Sequence, residues 1–427
     1  MADTQLTPRR AQDQLRTALA RSPVVLLTGA RQTGKTTLAS ATTVQEPDFE
    51  PASLDDAGTL ALARRDPIGF LDGLGPRAVI DEAQRAPELL LSIARSARSG
   101  RAPGRLLLTA SASPLAMAGL SEWPEGLVET IPLHPLSQGE IRRVPERFVD
   151  AIFAGDPIGI SGGSRDEAIA AALVGGYPRV QSLGFERQGA WFRSYVSTVL
   201  DRDVRDLAQV GGLAPLLQLL GLLAARSGGP VNAAGLARDL AVPNTSLRRY
   251  LALLEAAHLV VRLPAWTGRV GRPLAKAARL FLADTGLMAH LALITEERLA
   301  QDAAVAGPLL ETFAVLELLK QAGWSRTRPS VSHFRTEAGH EVDVLFQGPD
   351  GGIVGIDVRS GFTVGPADLR GLSALRDLTG GHFRRGVLLY LGRESVDLGD
   401  RLWAVPLAGL WSGVPEPRRA GSAAGSA

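Results

Sequence analysis

The stretch from Val24 to Thr37 reads VVLLTGARQTGKTT, and its part from Gly29 to Thr36 matches the pattern GxxxxGK[ST] at every fixed position. The apolar run that ends at Thr28 is typical of a strand buried on both faces of a parallel sheet. The glycines let backbone amides surround a phosphate group, and the helix that follows adds the positive end of its dipole. The stretch therefore predicts a strand, a phosphate-binding loop and a helix, the arrangement that binds a nucleoside triphosphate.

Two side chains of this loop have specific expected roles. Lys35 should reach the β- and γ-phosphates as a cation, which makes it a candidate catalytic residue, and the Thr36 hydroxyl should hold Mg²⁺. The chain has three lysines among its 46 basic residues, and one stands where the pattern requires it. We therefore predict binding of ATP with Mg²⁺. The residues expected to contact the nucleotide are Gly29, Ala30, Arg31, Gln32, Thr33, Gly34, Lys35, Thr36 and Thr37.

A second apolar run, AVI, ends in the acidic pair Asp81 and Glu82. A carboxylate at the edge of the sheet beside the phosphate loop suits Mg²⁺, and we assign that role to Asp81. Glu82 would then act as the catalytic residue that orients and polarises the attacking water. A third run, RLLLTAS, places Thr109 and Ser111 where they can sense the γ-phosphate, although capping of the next helix explains these residues equally well.

Composition places the chain among ordinary globular proteins. It has 427 residues, 45% hydrophobic and 21% charged, with a net charge of +2 and no cysteine. This length predicts two or three domains, and the absence of cysteine suits a reducing compartment. The longest apolar stretch, LAPLLQLLGLLAA, is shorter than the roughly 20 residues of a membrane span. We expect a cytoplasmic protein that does not enter the membrane.

Further motifs together resemble one protein family. They are GARQTGKTTL, SLDD, VIDEAQRAPELL, LLLTASAS, GGYPRV, WFRSYVSTVLDRDVRDL, LADTGL, GPLLETFAVLELL and HFRTEAGHEVDVLF. The set is similar to an AAA+-type P-loop ATPase family of bacteria and archaea whose C-terminal domain has no known function. One position differs: where family members usually carry Gly-Arg, a candidate arginine finger, this chain has Gly126 and Leu127.

The resemblance implies an α/β fold in three parts and a tail. An AAA+-like ATP-binding domain is expected over residues 1–150, and a helical segment with a winged helix over 165–266. A domain similar to PD-(D/E)xK nucleases is expected over 267–412, and a disordered tail over 413–427. The elements predicted for the nuclease-like domain are a helix over 307–321, strands over 331–336, 341–346 and 353–358, a helix over 366–378 and a strand over 386–391.

The winged helix offers a candidate interface for double-stranded DNA. The second helix of this motif enters the major groove with its N-terminal residues near base edges. A basic connector farther along could add phosphate contacts. A protein-docking role explains the same residues equally well. The candidate DNA contacts are Asn244, Thr245, Ser246, Arg248 and Arg249, and the connector residues are Arg269, Arg272, Lys276 and Arg279.

The nuclease-like domain carries a candidate second metal site. The resemblance assigns its carboxylates to Glu311, Asp343 and Asp357, which could hold Mg²⁺ beside a scissile phosphate. Arg359 replaces the lysine that such nucleases usually have two residues after the last carboxylate. We therefore expect an interaction scaffold rather than an efficient nuclease, because a fold does not by itself specify a function.

These observations predict an ATPase that acts as a nucleotide-driven switch and controls engagement of DNA or a protein partner. One alternative is an ATP-gated, metal-dependent DNA nuclease, and another is a protein-interaction regulator that does not bind DNA. AAA+ relatives often form rings, so an oligomer is one further expectation, although the arginine replaced by Leu127 weakens it.

Overall fold

The computed structural model describes residues 6–45, 48–96, 102–113, 123, 126–155, 163–205, 213–268 and 277–412. The chain forms two compact units. The first comprises Met1–Ile141, Ala172–Leu263 and Ala278–Phe313, and the second comprises Arg142–Ala171, Pro264–Ala277 and Ala314–Ala427. These units divide the chain differently from the three consecutive segments expected from the sequence. None of the described helices is both long enough and apolar enough to cross a membrane.

A five-stranded parallel sheet forms the centre of the first unit. Its strands are β1 (Val24–Thr28), β2 (Phe49–Ser53), β3 (Arg77–Asp81), β4 (Leu106–Ala110) and β5 (Val128–Pro132). They lie in the order β2-β3-β4-β1-β5, so the strand before the phosphate loop lies between β4 and β5. The predicted doubly wound α/β core is therefore confirmed, and the three strands read from the sequence occupy its middle positions.

Helices cover both faces of this sheet. They include α1 (Ala11–Leu19), α2 (Lys35–Gln45), α3 (Ala57–Arg65), α4 (Pro67–Gly73) and α5 (Pro87–Ser96). Val25 and Leu27 point into a core with α1 and α2, while Leu26 and Ile80 point into a core with α3, α4 and α5. Successive strand residues face opposite sides of a sheet, so burial on both sides requires the continuous apolar run that β1 shows.

The remaining described α-helices continue along the chain. They are α6 (Gln138–Arg142), α7 (Phe148–Ala154), α8 (Arg165–Val174), α9 (Phe185–Thr198), α10 (Ala214–Ala225), α11 (Ala233–Asp239), α12 (Asn244–Ala256), α13 (Thr285–Leu291), α14 (Glu296–Gln301), α15 (Ala303–Trp324) and α16 (Arg370–Thr379). A π-helical turn, Val199–Val204, extends α9 directly. The two motifs GGYPRV and LADTGL meet, because buried Asp284 accepts hydrogen bonds from the backbone N–H groups of Gly176 and Leu287.

Helices α11 and α12 are followed by a two-stranded antiparallel ribbon. Its strands are β6 (Val260–Leu263) and β7 (Arg279–Leu282). The Asn232 side chain caps α11, and Pro243 stands immediately before α12. The sequence predicts two helices and one apolar strand for this segment, and β7 is a further strand that pairs with β6. Arg269, Arg272 and Lys276 of the predicted basic connector lie outside the described residues.

The second unit contains a six-stranded mixed sheet. Its strands are β8 (Ser330–Arg335), β9 (Glu341–Gln347), β10 (Ile353–Val358), β11 (Phe383–Tyr390), β12 (Val396–Gly399) and β13 (Leu402–Pro406). The order is β12-β13-β11-β10-β9-β8, with β10, β11 and β13 parallel to one another. Leu372 and Leu375 of α16 pack on the sheet against Val342 and Leu388. The predicted strands are present, and β12 and β13 extend the sheet beyond them.

Candidate nucleotide-binding site

The phosphate loop joins β1 to α2 and depends on its two glycines. A Cβ atom on Gly29 would lie 2.2 Å from the backbone oxygen of Leu133, so no larger residue fits there without movement of the backbone. Gly34 has a φ of +98°, in a region that residues with a Cβ atom rarely adopt. The backbone of the loop is also held from outside, since Arg9 Nη1 donates to the carbonyl oxygen of Thr33 at 2.6 Å.

Lys35 lies inside the loop that it is predicted to serve. Its side chain is 4% exposed, and Nζ donates to the carbonyl oxygens of Gly29 and Ala30, each at 3.0 Å. Burial lowers the pKa of Lys35, while the nearby carboxylate of Glu82 opposes that shift. These contacts hold the ammonium group at the centre of the loop, where a bound phosphate can exchange for the two carbonyl oxygens.

Asp81 connects the end of β3 to the phosphate loop. Its Oδ1 accepts hydrogen bonds from Thr36 Oγ1 at 2.9 Å and from Thr109 Oγ1 at 2.5 Å. Magnesium prefers oxygen ligands and is commonly held by a carboxylate and a hydroxyl together with substrate phosphates. The chemistry of Thr36 and Asp81 therefore fits Mg²⁺, and the structure brings these two residues together.

Glu82 lies beside Asp81 in an unusual conformation. Its φ is +57° and the residue is 6% exposed. Its Oε2 accepts hydrogen bonds from Ser111 Oγ at 2.9 Å and from Gln84 Nε2 at 2.5 Å, while its N–H donates to Thr109 Oγ1 at 3.1 Å. Thr109 thus contacts both acidic residues and Ser111 contacts Glu82, which links the end of β4 to the predicted catalytic carboxylate. Sequence reasoning missed Gln84, although it follows Glu82 by two positions.

Arg31 of the loop contacts a helical residue far away in sequence. Its Nη2 donates to Asp203 Oδ1 at 2.8 Å and its Nε lies 3.1 Å from both carboxylate oxygens. The hydrogen bond to Asp203 raises the pKa of Arg31, whereas burial raises the pKa of Asp203 against the opposing effect of Arg31. We infer a charged pair, because Arg31 donates to both oxygens and a carboxylate accepts at both.

A second acidic residue, Asp55, binds two arginines near the phosphate loop. Asp55 Oδ1 accepts from Arg85 Nη1 at 2.7 Å and from Arg202 Nη2 at 3.0 Å. Arg202 and Asp203 are adjacent residues of the π-helical turn, so this turn contacts both the phosphate loop and the segment after β2. Leu127, which stands where the family usually has arginine, is 6% exposed and packs in the core of the first unit.

The C-terminal end of α12 is hydrogen-bonded to the nucleotide site. The N–H of Ser113 donates to the carbonyl oxygen of Ala256 at 2.7 Å. Thr28 Oγ1 donates to the carbonyl oxygen of Ala112 and lies 3.0 Å from His258 Nε2. Since the hydroxyl has one proton, His258 Nε2 must donate to Thr28. Burial lowers the pKa of His258 to about 4, so this histidine is neutral at pH 7.

The other end of α12 carries the predicted DNA contacts. Ser246 is half-buried, and the other four residues of the group are exposed: Asn244, Thr245, Arg248 and Arg249. The expectation for Arg279 was wrong, because this residue is 8% exposed and its guanidinium donates to Glu311 and to the carbonyl oxygen of Gly228. Arg279 therefore forms buried hydrogen bonds within the first unit and is not available to contact a DNA phosphate.

The structure brings together two of the three carboxylates of the predicted second metal site. Asp343 Oδ2 accepts from the N–H of Val358 at 2.9 Å, and burial together with Asp343 raises the pKa of the neighbouring Asp357 to about 9. Arg359 Nη2 donates to Asp357 Oδ2 at 2.8 Å. Glu311 belongs to the first unit, where it binds Arg279. Over the described residues, no group of three or more acidic or histidine side chains is arranged to hold a metal ion.

Family models match most of the chain in three consecutive parts. A model described as an AAA domain matches residues 21–142, and two models described as domains of unknown function, DUF8612 and DUF4143, match 165–298 and 306–410. Together with the phosphate loop and the parallel sheet, the first match defines a P-loop ATPase domain of the AAA type.

Two mycobacterial proteins are similar to nearly the whole chain. The uncharacterized protein Rv2008c of Mycobacterium tuberculosis and the uncharacterized protein Mb2031c of Mycobacterium bovis are each 32% identical over 402 residues, covering 93% of this chain and 83% of theirs. The chain belongs to the same family as these two proteins.

Two solved structures match the chain at lower similarity. A Walker-type ATPase of Pyrococcus abyssi has a TM-score of 0.41 at 15% identity, covering 68% of this chain and 97% of its own. A variant of RuvB from Thermotoga maritima has a TM-score of 0.29 at 21% identity, covering 60% of this chain and 89% of its own.

Proposed function

We propose that the protein is an ATP-hydrolysing switch, in which the nucleotide state controls how the segment from α11 to β7 engages DNA or a protein partner. The observation that carries this proposal is the attachment of α12 to the nucleotide site. The backbone of Ala256 and the side chain of His258 are bonded at the ends of β4 and β1, beside the phosphate loop and the candidate sensors. A rearrangement of these strand ends would therefore reach α12 directly.

The proposed chemistry follows from the residues already described. Lys35 would bind the β- and γ-phosphates, Thr36 and Asp81 would hold Mg²⁺, and Glu82 would orient the attacking water. Bound Mg²⁺ would neutralise negative charge on the phosphates. DNA contact is supported by the exposed arginines Arg248 and Arg249, which lie in the N-terminal half of α12, away from its attached C-terminal end.

Fluorescence anisotropy with a labelled DNA duplex tests the switch. The Glu82→Gln protein is measured without nucleotide, with ADP and with ATP, and we expect affinities that differ at least about threefold between ADP and ATP, or about 0.7 kcal/mol. Lys35→Ala should abolish the difference. Equal DNA affinity in all three states would contradict nucleotide control of DNA binding.

The salt dependence then tests which residues contact DNA. Replacing Arg248 and Arg249 by alanine should flatten the slope of log K against log salt by about one unit per residue. Arg65→Ala, a change at an exposed arginine of α3, is the control and should leave the slope unchanged. An absence of DNA binding at physiological salt in every nucleotide state would favour the protein-partner alternative, for which a pull-down with Glu82→Gln is the experiment.

A further inference from the structure

Gln84 contacts the predicted catalytic carboxylate through its side-chain amide. It lies in the 3₁₀ helix Ala83–Arg85, immediately after Glu82. Nε2 donates to Glu82 Oε2 at 2.5 Å and to Ser111 Oγ at 2.9 Å. A carboxylate accepts and does not donate, so the atom facing Glu82 must be the amide nitrogen. This contact fixes the orientation of the amide and leaves its oxygen, Oε1, out of the hydrogen bonds to Glu82 and Ser111.

The amide oxygen of Gln84 is the unusual atom in this group. Oε1 is buried and accepts no hydrogen bond from any residue that the structure describes. Buried polar atoms almost always have a partner, because burial without one costs free energy. An acceptor of this kind next to a carboxylate indicates a small ligand with two hydrogens to donate, one for each oxygen. Water has that chemistry.

We propose that Gln84 and Glu82 together hold the water that attacks the γ-phosphorus of ATP, an inference that rests on the proposed ATP hydrolysis at this site. The water oxygen forms a bond to the γ-phosphorus, and the bond from that phosphorus to the βγ-bridging oxygen breaks with its electron pair leaving on ADP. Glu82 takes the proton of the water. Gln84 exchanges no proton. Its Oε1 accepts a hydrogen bond from the second hydrogen of the water and thereby directs a lone pair of the water oxygen at the phosphorus.

The hydrogen bonds and backbone conformation of Glu82 agree with these roles for Glu82 and Gln84. Ser111 and Gln84 both donate to Oε2, so Oε1 of Glu82 lies outside both of these hydrogen bonds. Glu82 has a left-handed backbone at the start of the 3₁₀ helix, whose Gln84 returns its side-chain amide to the carboxylate. Strained backbone conformations of this kind are concentrated at functional sites.

Replacing Gln84 by methionine tests the proposal in the full-length protein. Methionine keeps the length of the side chain but cannot accept a strong hydrogen bond from water. We expect kcat for ATP hydrolysis to fall at least about tenfold while the dissociation constant for ATP changes less than about twofold. Gln188→Met is the matched control, because that glutamine, in the first turn of α9, is part-buried and donates to the carbonyl oxygen of Leu183.

Gln84→Glu supplies a readout that a purely structural residue would not change. Glutamate still accepts a hydrogen from water, but it puts a second carboxylate at hydrogen-bond distance from Glu82. Two like charges this close raise the pKa of the pair, and the base must be deprotonated to act. The acidic limb of the pH profile of kcat should therefore move to higher pH.

The outcomes separate this inference from the proposed function. If the wild-type protein binds ATP without hydrolysing it, the proposed function fails. If the wild-type protein hydrolyses ATP and folded Gln84→Met keeps its kcat, or loses kcat and ATP affinity together, the role of Gln84 is overturned. An unshifted pH profile in Gln84→Glu would also contradict a contact between Gln84 and the attacking water.

Discussion

Arg31 in the phosphate loop and Asp203 in the π-helical turn after α9 form a bidentate ion pair. Their side chains are 16% and 6% exposed, so the pair is largely removed from solvent. The two residues are 172 positions apart, and their contact ties the loop that binds phosphate to the helical part of the first unit.

Removing Asp203 should destabilise the protein. Asp203→Ala leaves Arg31 charged, largely buried and without its carboxylate partner, and we expect a loss of about 3 kcal/mol in the free energy of unfolding. Asp201→Ala is the control on the same turn, because its partner Arg205 is exposed and 3.4 Å away. Urea denaturation checks both variants. A loss below about 1 kcal/mol in Asp203→Ala would show that the ion pair contributes little to stability.

Replacing Lys35 should weaken ATP binding. Lys35→Ala removes the cation at the centre of the phosphate loop, and we expect the dissociation constant for ATP to rise at least about tenfold, or 1.4 kcal/mol. Calorimetry provides the measurement. Thr43→Ala in the same helix is the control, since that hydroxyl donates to the carbonyl oxygen of Ser40 within the helix itself. An unchanged affinity in folded Lys35→Ala would overturn the assignment of the loop.

His258 should make stability depend on pH. Its pKa is lowered to about 4 in the folded state, from an ordinary value of 6.5. Between these values the unfolded chain binds a proton that the folded protein excludes, so stability falls as pH is lowered from about 6.5 to 4. The difference corresponds to a loss of about 3 kcal/mol when the fall is complete.

Denaturation at several pH values measures this dependence. His258→Gln keeps a donor for Thr28 but removes the titrating ring, and it should flatten the slope between pH 6.5 and 4. The same substitution at the exposed His382 is the control. An equal slope in wild type and His258→Gln would show that other groups cause the pH dependence.

The ATPase sheet was largely predictable because burial on both faces requires long apolar runs. The strands β1, β3 and β4 carry that pattern, whereas β2 and β5 lie at the sheet edges, are partly exposed and contain Pro51 and Pro132. Edge strands keep a free side, so polar residues and proline are tolerated there and the apolar signal is lost.

The candidate site was predictable only where it is local in sequence. The motif spacing fixes Lys35, Thr36 and Asp81 because one loop and one strand end carry them. Asp203 and His258 reach the site through long-range packing, and nothing in their neighbouring sequence indicates which loop they contact. Their positions follow from tertiary structure alone.

The second unit should not cleave DNA efficiently. Arginine is effectively always protonated, so Arg359 cannot assist in deprotonating water. Its guanidinium also donates a hydrogen bond to the Asp357 carboxylate that a metal ion would need. The raised pKa of Asp357 further reduces the negative charge available for a metal ion at neutral pH. The measurement is incubation with supercoiled, linear and single-stranded DNA in Mg²⁺ or Mn²⁺, with and without ATP. Cleavage that disappears in Asp343→Ala would make the nuclease alternative the leading one.

Parallel measurement of ATP affinity and ATP turnover in the wild-type and Glu82→Gln proteins tests whether this site hydrolyses ATP with Glu82 as its base. Glu82 is expected to act on water while Lys35, Thr36 and Asp81 hold the nucleotide and its metal. We expect Glu82→Gln to bind ATP within about twofold of wild type and to lose hydrolysis by at least about a hundredfold. Loss of ATP binding in Glu82→Gln, or turnover equal to wild type, would contradict this expectation.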